Sequence, residues 1–351
     1  MINYKVVIIG GGQAGIAMGY YLKKENIPFV ILDKNDRVGD SWRKRYDSLV
    51  LFTPRRYSSL PGLKMKGLLK EFPTKDDVAD YLDNYVKHFD LPIMLKTNVV
   101  KIHKQLDDTF LLETSNGKIN AQQVIIATGA FQKPYIPNVI KREAGTFQLH
   151  SSEYHSPREV PGSDILVVGG GNSGAQIAVE LAKDKNVTIA VGHKFKFLPL
   201  TFLGRSIFSW LKILGLLYAG EDTLKGKWFQ KQNDPIFGKE LKKLIKNKIV
   251  DVRPKVIQVS DTEVCFEDNT RKKFESIIWS TGFIPSYEWI NIEGVISDDG
   301  KPIHKRGITK VNGLYFIGLP WQYQRGSGLI CGVSLDANYL VPTIMSNVSK
   351  I

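Results

Sequence analysis

VVIIGGGQAGIAMGYYLKKENIPFVILD occupies residues 6–33 of the chain, and ILVVGGGNSGAQIAVELAKDKNVTIAVG occupies residues 165–192. The two stretches align without a gap at an offset of 159 residues. Each opens on a short β-branched run suited to a buried parallel strand, passes through G-x-G-x-x-G, and continues as a helical pattern into a second such run. The glycines are Gly10, Gly12 and Gly15 in one copy and Gly169, Gly171 and Gly174 in the other. The first permits a tight strand-to-helix turn, the second lets a pyrophosphate approach the backbone, and the third lets helix and strand pack closely. Gln13 and Ala14 in one copy, and Asn172 and Ser173 in the other, open the helix and would offer N–H groups to the phosphates. One such fingerprint is weak evidence. Two, each between a strand and a helix, predict an α/β fold with two Rossmann-like dinucleotide-binding domains.

The ends of the copies differ in charge. The first finishes at Asp33, with Lys34 beside it, 23 residues after Gly10. A carboxylate there accepts hydrogen bonds from the ribose hydroxyls of FAD or NAD. The equivalent position in the second copy is Gly192, followed by His193, Lys194 and Lys196. Loss of the acid and gain of cations suits a 2′-phosphate, so the second site is expected to take NADPH, with NADH as a lesser substrate. Two further segments, 124–129 (VIIATG) and 277–282 (IIWSTG), repeat an apolar strand ending in Thr-Gly. They mark passages between the two nucleotide domains, and place Ala127, Thr128 and Gly129 beside the first nucleotide. Each is followed by a proline turn, at Pro134 and Pro137 and at Pro285.

Composition bounds the remaining function classes. The chain has 351 residues, 43% of them hydrophobic and 24% charged, as in a globular protein. Two cysteines, Cys265 and Cys331, form neither a disulfide framework nor a C-x-x-C pair. A reducing, cytoplasmic setting is expected, and a dithiol centre or zinc ribbon is not. The six histidines show no metal spacing. A net charge of +13 raises the question of nucleic acid. No helix-turn-helix, finger or aromatic RNP pattern supports it, and between His193 and Lys255 alone there are 14 Lys and Arg against 5 Asp and Glu. The excess is thus local to the stretch after the second nucleotide strand, where it would steer an anionic nucleotide. No secretory pattern opens the chain. Residues 202–220 are the most membrane-like, but Arg205 and Lys212 argue against a span. A helical flap over cofactor or substrate is expected there. The alternative is peripheral membrane contact by an interfacial helix presenting Trp210, Leu211, Leu214 and Leu217.

Nearly end to end, the chain resembles the class B flavin-containing monooxygenases, especially their short bacterial CzcO-like members. Gly39-Asp40-Ser41-Trp42-Arg43 resembles the family's G-x-x-W segment beside the flavin. Leu49–Pro54 and Ser59–Gly62 resemble the loop over the flavin's far side, and Gly313–Val333 resembles the strand, loop and helix that return to the isoalloxazine. That helix would begin near Gly328 and aim its positive end at the flavin. The family's F-x-G-x-x-x-H-x-x-x-(Y/F) signature is matched at His150 and Tyr154, with Ala144 in place of the aromatic and Gly145 one place early.

The resemblance implies an FAD domain at 1–155, an NAD(P)H domain at 156–283 and a C-terminal FAD part at 284–351. It implies that Trp42, Thr53 and Gln322 approach the flavin and that Val99 offers its backbone to the adenine. It also implies a cycle in which NADPH reduces FAD, a C4a-(hydro)peroxide forms with O2, and a small sulfide, amine or ketone is oxygenated. A flavin reductase passing electrons to a quinone, metal or protein, and a redox partner of an ion transporter, are the alternatives. Oligomeric state stays open, a homodimer included.

Overall fold

The computed structural model describes residues 2–140, 145–232 and 234–348. Ala144 of the histidine signature lies outside them. The first unit starts with β1 (Ile2–Ile9), whose Val6–Ile9 end is buried, then α1 (Gln13–Lys24) and β2 (Phe29–Leu32). A short α2 (Asp40–Arg43) and α3 (Lys75–His88) follow. Thr74 and Asp77 cap α3 reciprocally: the Thr74 hydroxyl accepts from Asp77 N (3.2 Å), and the Asp77 carboxylate accepts from Thr74 N (2.9 Å). Next come β3 (Ile93–Met94), β4 (Val99–Lys104), β5 (Phe110–Thr114) and β6 (Gly117–Ile126).

The chain then crosses over through β7 (Lys133–Pro134) and supplies β8 (Phe147–His150). β9 (Asp164–Val168), α4 (Asn172–Leu181) and β10 (Asn186–Ala190) form the second copy of the repeat. An insertion holds β11 (Phe197–Leu198), β12 (Thr201–Phe202), β13 (Arg205–Ser206), α5 (Ile207–Ile213), α6 (Leu224–Gln230) and β14 (Ile236–Phe237). α7 (Glu240–Lys246) and β15 (Val250–Arg253) return to the sheet. A three-stranded antiparallel layer, β16 (Val256–Ser260), β17 (Glu263–Phe266) and β18 (Arg271–Lys273), covers its other face. β19 (Ser276–Trp279) and β20 (Phe283–Ile284) lead back to β21 (Ile290–Asn291), β22 (Leu314–Phe316) and α8 (Ile330–Val348).

Two sheets result. In the first, the order is β21-β4-β5-β6-β1-β2-β3, with β22 also paired to β6. In the second, all parallel, it is β15-β10-β9-β19-β8. β1 and β9 each stand between two parallel neighbours, so their carboxyl ends open into the crevice where doubly wound sheets bind ligands. α1 packs its small face (Ala14, Gly15, Ala17, Gly19) inward, and Val333, Ala337, Leu340, Val341 and Ile344 of α8 join the same core at helical spacing. β7 and β20 pair antiparallel, so the two crossovers run side by side. β8, which precedes residue 156, hydrogen-bonds to β19 as an edge strand of the second sheet.

The expected helical flap over 202–220 is instead a hairpin followed by a helix. Leu203 and Gly204 turn with φ of +47° and +71°, and the Ser206 side chain then caps α5 by accepting from Phe208 N. Gly215, at φ +69°, follows its end. Leu217 is buried and Leu211 packs inward, so the outward face of this segment differs from the one expected.

Candidate functional site

The two glycine loops superpose in their logic. A Cβ on Gly10 would stand 2.7 Å from Ala127 O, and one on Gly169 would run into Ser280 O; both glycines sit at φ above +100°. A Cβ on Gly15 would collide with Gly10 O, and one on Gly174 with Gly169 O. These four are required by the protein itself. Gly12 and Gly171 are not: their φ values are −81° in both cases, and a Cβ at either meets nothing within 4 Å. Each is the N-cap of its helix, no side chain caps either helix, and neither first turn holds an acid. Open space in front of an uncapped amino end fits a pyrophosphate at both loops.

Around the first loop the Asp33 carboxylate accepts from Gly11 N (2.5 Å) and from the Asn35 backbone and amide (2.8 and 2.9 Å). It is therefore held facing the loop. Lys34 is exposed beside it. Trp42 Nε1 donates to Gln13 Oε1 at 3.3 Å, so the G-x-x-W segment is tied directly to the first turn of α1. Thr53 is buried and shares its hydroxyl with Ser58 (2.9 Å). Val99 opens β4, while Thr97, two residues earlier, donates its N–H to Asp33 O at 2.9 Å. Thr128 and Gly129 follow the end of β6, where the Gln132 amide donates to both.

Gln322 is fully buried, its Oε1 accepting from Leu319 N (3.3 Å). Its Nε2 has no partner among the described residues. The helix expected near Gly328 begins at Ile330. A depression of about 710 Å³, lined by residues of 290–303, lies at the β21 edge and shares no residue with either loop.

Around the second loop the acid is replaced by cations. His193 and Lys194 are exposed, and no ion pair or hydrogen bond engages Lys194 among the described residues. Lys196 donates to Gln232 Oε1 at 3.0 Å. Lys255, which the sequence pattern does not single out, lays its side chain over Gly192: a Cβ there would be 3.6 Å from Lys255 Cδ. The parallel pairing of β10 with β15 brings it across. Asn172 is occupied structurally, donating to Pro235 O (3.1 Å) and accepting from Phe237 N (2.9 Å). Ser173 is half-buried in the same turn.

The two units are bonded through α4. Tyr46 OH donates to Gln176 Oε1 (3.0 Å), and Ser48 and Tyr154 both donate to Glu180 Oε2 (2.7 and 2.9 Å). Burial pushes the Tyr46 phenol up to about 12 and raises that of Tyr154 further, so both act as donors at neutral pH. His150 clasps the crossover. Ser152 N donates to its Nδ1 (3.1 Å), which leaves the proton on Nε2 to donate to Gly282 O (2.9 Å). Burial lowers its pKa and keeps it neutral. Arg45 lies 4.4 Å above the Phe131 ring and 5.7 Å from that of Phe283, filling the angle between the two crossovers.

The model of the pyridine nucleotide-disulphide oxidoreductase family matches residues 7–197. A Geobacillus kaustophilus protein described as an uncharacterized CzcO-like oxidoreductase is 51% identical over 97% of this chain and 98% of its own. The chain belongs to this family, among its CzcO-like, flavin-monooxygenase-like members. A flavin-containing monooxygenase from Stenotrophomonas maltophilia has a similar structure, with a TM-score of 0.84, 26% identity and 99% of both chains covered. A probable indole-3-pyruvate monooxygenase of Arabidopsis thaliana is 28% identical over 89% of this chain and 84% of its own. The family and the paired loops make this CzcO-like chain an oxidoreductase built for a flavin and a nicotinamide nucleotide. It has no dithiol. Cys331, at the start of α8, is half-buried, desolvation pushing its thiol up to about 12, and Cys265 lies on β17 in the other unit.

Proposed function

We propose that the chain is an FAD-dependent monooxygenase that uses NADPH and oxygenates a small sulfide, amine or ketone. The observation that carries the reading is the opposed chemistry of two open glycine loops, Asp33 at one and Lys194 with Lys255 at the other. The similarity to the Stenotrophomonas and Arabidopsis monooxygenases supports the oxygenase half. A bound flavin would take hydride from NADPH and deliver two electrons to O2, one oxygen atom passing to substrate and the other to water.

The chain's own part is binding, orientation and exclusion of water. Asp33 would hold the adenosine ribose, the α1 amino end the pyrophosphate, and the free Gln322 Nε2 a flavin acceptor. Phe52 stacks on Phe237 (4.6 Å) and Phe208 (6.0 Å), and Tyr57 leans on Phe208 (6.2 Å). This aromatic wall joins the 49–54 loop to the insertion, and an apolar wall suits a soft, uncharged substrate. The test is turnover with NADPH, an aryl alkyl sulfide and ¹⁸O2. One labelled sulfoxide oxygen per NADPH is expected. NADPH consumption that yields only hydrogen peroxide, or reduces an added quinone without oxygenated product, assigns the reductase activity instead.

A further inference from the structure

The insertion between β10 and α7 has two apolar faces. Its inner face is accounted for: Phe208 and Leu217 are buried against Tyr57 and Phe52. Its outer face is not. Phe202 and Leu203 at the hairpin tip, Ile213 and Leu214 at the end of α5, and Leu224 and Trp228 on α6 are all exposed, Leu203 by 75% and Leu224 by 87%.

These six side chains belong to one surface. Trp210 Nε1 donates to Phe202 O at 2.9 Å and the two rings meet edge-on at 6.2 Å, fixing the hairpin to α5. Lys225 Nζ donates to Leu214 O at 3.0 Å, fixing the amino end of α6 to the carboxyl end of α5. Trp210, Ile213 and Leu214 share one face of α5 by their spacing, as Leu224 and Trp228 share one face of α6. Leu203 is a branched residue held at φ +47° on an exposed tip, a position where a small polar residue would be unstrained. Arg205, Lys212, Lys225, Lys227 and Lys231 are exposed among them, against the half-buried Glu221, the exposed Asp222, and Asp234, which pairs with Arg325 (2.9 Å).

We infer that this face docks on a bilayer carrying anionic headgroups, with the leucines, Phe202 and the tryptophans at the acyl boundary and the cations at the lipid phosphates. Clustered apolar tips interleaved with Lys and Arg are the chemistry of interfacial attachment. A second copy of the chain is the poorer occupant, because a two-fold contact would set these same cations against one another on a chain already at +13. No helix among the described residues is long and apolar enough to cross a membrane, so the attachment is peripheral. It would also bring the Phe52–Phe208–Phe237 wall on the inner face close to apolar compounds dissolved in the bilayer.

The experiment is co-sedimentation of the full-length holoprotein with phosphatidylcholine vesicles, alone or containing phosphatidylglycerol. Binding is expected only with phosphatidylglycerol, with release by high salt and a blue shift of tryptophan emission. The double variant Leu203→Asp, Leu224→Asp should bind about tenfold more weakly, with flavin content and NADPH oxidation in solution unchanged. Lys212→Glu with Lys227→Glu should abolish the lipid preference. Three outcomes would overturn the inference. They are absence of sedimentation with phosphatidylglycerol, binding that survives both leucine changes, and a concentration-dependent dimer that those changes dissolve in a protein indifferent to vesicles.

Discussion

Replacing Gly12 by alanine separates what the protein needs from what its ligand needs. Gly12 has φ −81° and ψ −173°, open to any residue, and a Cβ there meets nothing within 4 Å. Without flavin, Gly12→Ala should be as stable as the parent or more so, by about 0.4–1 kcal/mol through the lost freedom of the unfolded chain. In a chain of this size that is a rise of up to about 1.5 °C. On the proposed reading, with flavin bound the same methyl would stand where the pyrophosphate lies. Forcing one carbon into a close contact costs about 1–3 kcal/mol, which weakens flavin binding roughly 5- to 150-fold.

Gly171→Ala is the mirror case, with φ again −81° and no neighbour within 4 Å. It should purify with normal flavin and bind the nicotinamide nucleotide more weakly by the same factor. Gly15→Ala is the contrast: its Cβ would collide with the Gly10 carbonyl, so the flavin-free protein itself should melt lower. The assays are scanning calorimetry of flavin-stripped protein, FAD titration by fluorescence quenching, and nucleotide titration of the holoprotein. A Gly12→Ala protein with the parent's FAD affinity would refute the reasoning. So would a Gly171→Ala protein that loses flavin yet keeps its nucleotide affinity.

Charge reversal at Lys194 and Lys255 together should raise KM for NADPH by about 10- to 100-fold while moving KM for NADH little, since only the 2′-phosphate loses its partners. Equal shifts for both nucleotides would show that these cations only steer. His150→Phe should leave flavin content intact but slow NADPH-driven flavin reduction in stopped-flow, because Gly282 O loses its donor at the crossover. Burial lowers the His150 pKa, so its contribution to stability is present above pH 6.5 and is lost as pH falls through the lower folded value. The melting-temperature gap between parent and His150→Phe should therefore narrow on acidification, and a gap independent of pH would contradict the neutral clasp. Asp336 on α8 is fully buried, 3.6 Å from Arg306 Nε, and burial raises its pKa above 3.8. A raised carboxyl contributes most below that ordinary value and loses its contribution as pH rises through the folded value, so Asp336→Asn should gain on the parent between pH 4 and pH 7. A gain that shrinks with rising pH would mean that Arg306 outweighs burial.

The glycine loops are legible in the sequence because their geometry is local. Three glycine roles fall within six residues, and the structure assigns each a distinct cause: a turn, an open approach and a tight packing contact. What stayed hidden depends on pairings made far along the chain. β8 is only four residues long and gains its place from β19, some 130 residues later. Lys255 reaches Gly192 only because β15 lies parallel to β10. The hairpin inside the expected flap turns on Leu203, a residue with no turn preference, followed by Gly204. The Asn172 side chain looked available to a phosphate, yet residues 235–237, some 63 positions away, use both of its polar atoms.

These pairings leave the two copies of the repeat mechanically joined, and the connection has a direction. From the first loop, Gln13 holds Trp42; Trp42 belongs to α2, and the turn after α2 carries Tyr46, which holds Gln176. Gln176 lies one turn along α4 from Gly171 and Asn172, at the amino end of the second loop. Two side-chain hydrogen bonds and two helical segments thus span from one glycine loop to the other. A second path runs from β8 through His150 to Gly282, which follows β19. Hydride transfer requires the nicotinamide and flavin rings in contact, and a small slip between the units costs rate steeply. A duplicated fold supplies two nucleotide sites without fixing their separation. Trp42, Tyr46, Gln176 and His150, whose side chains join the two units, lie outside both glycine fingerprints, so the coupling between the loops rests on residues the fingerprints do not include.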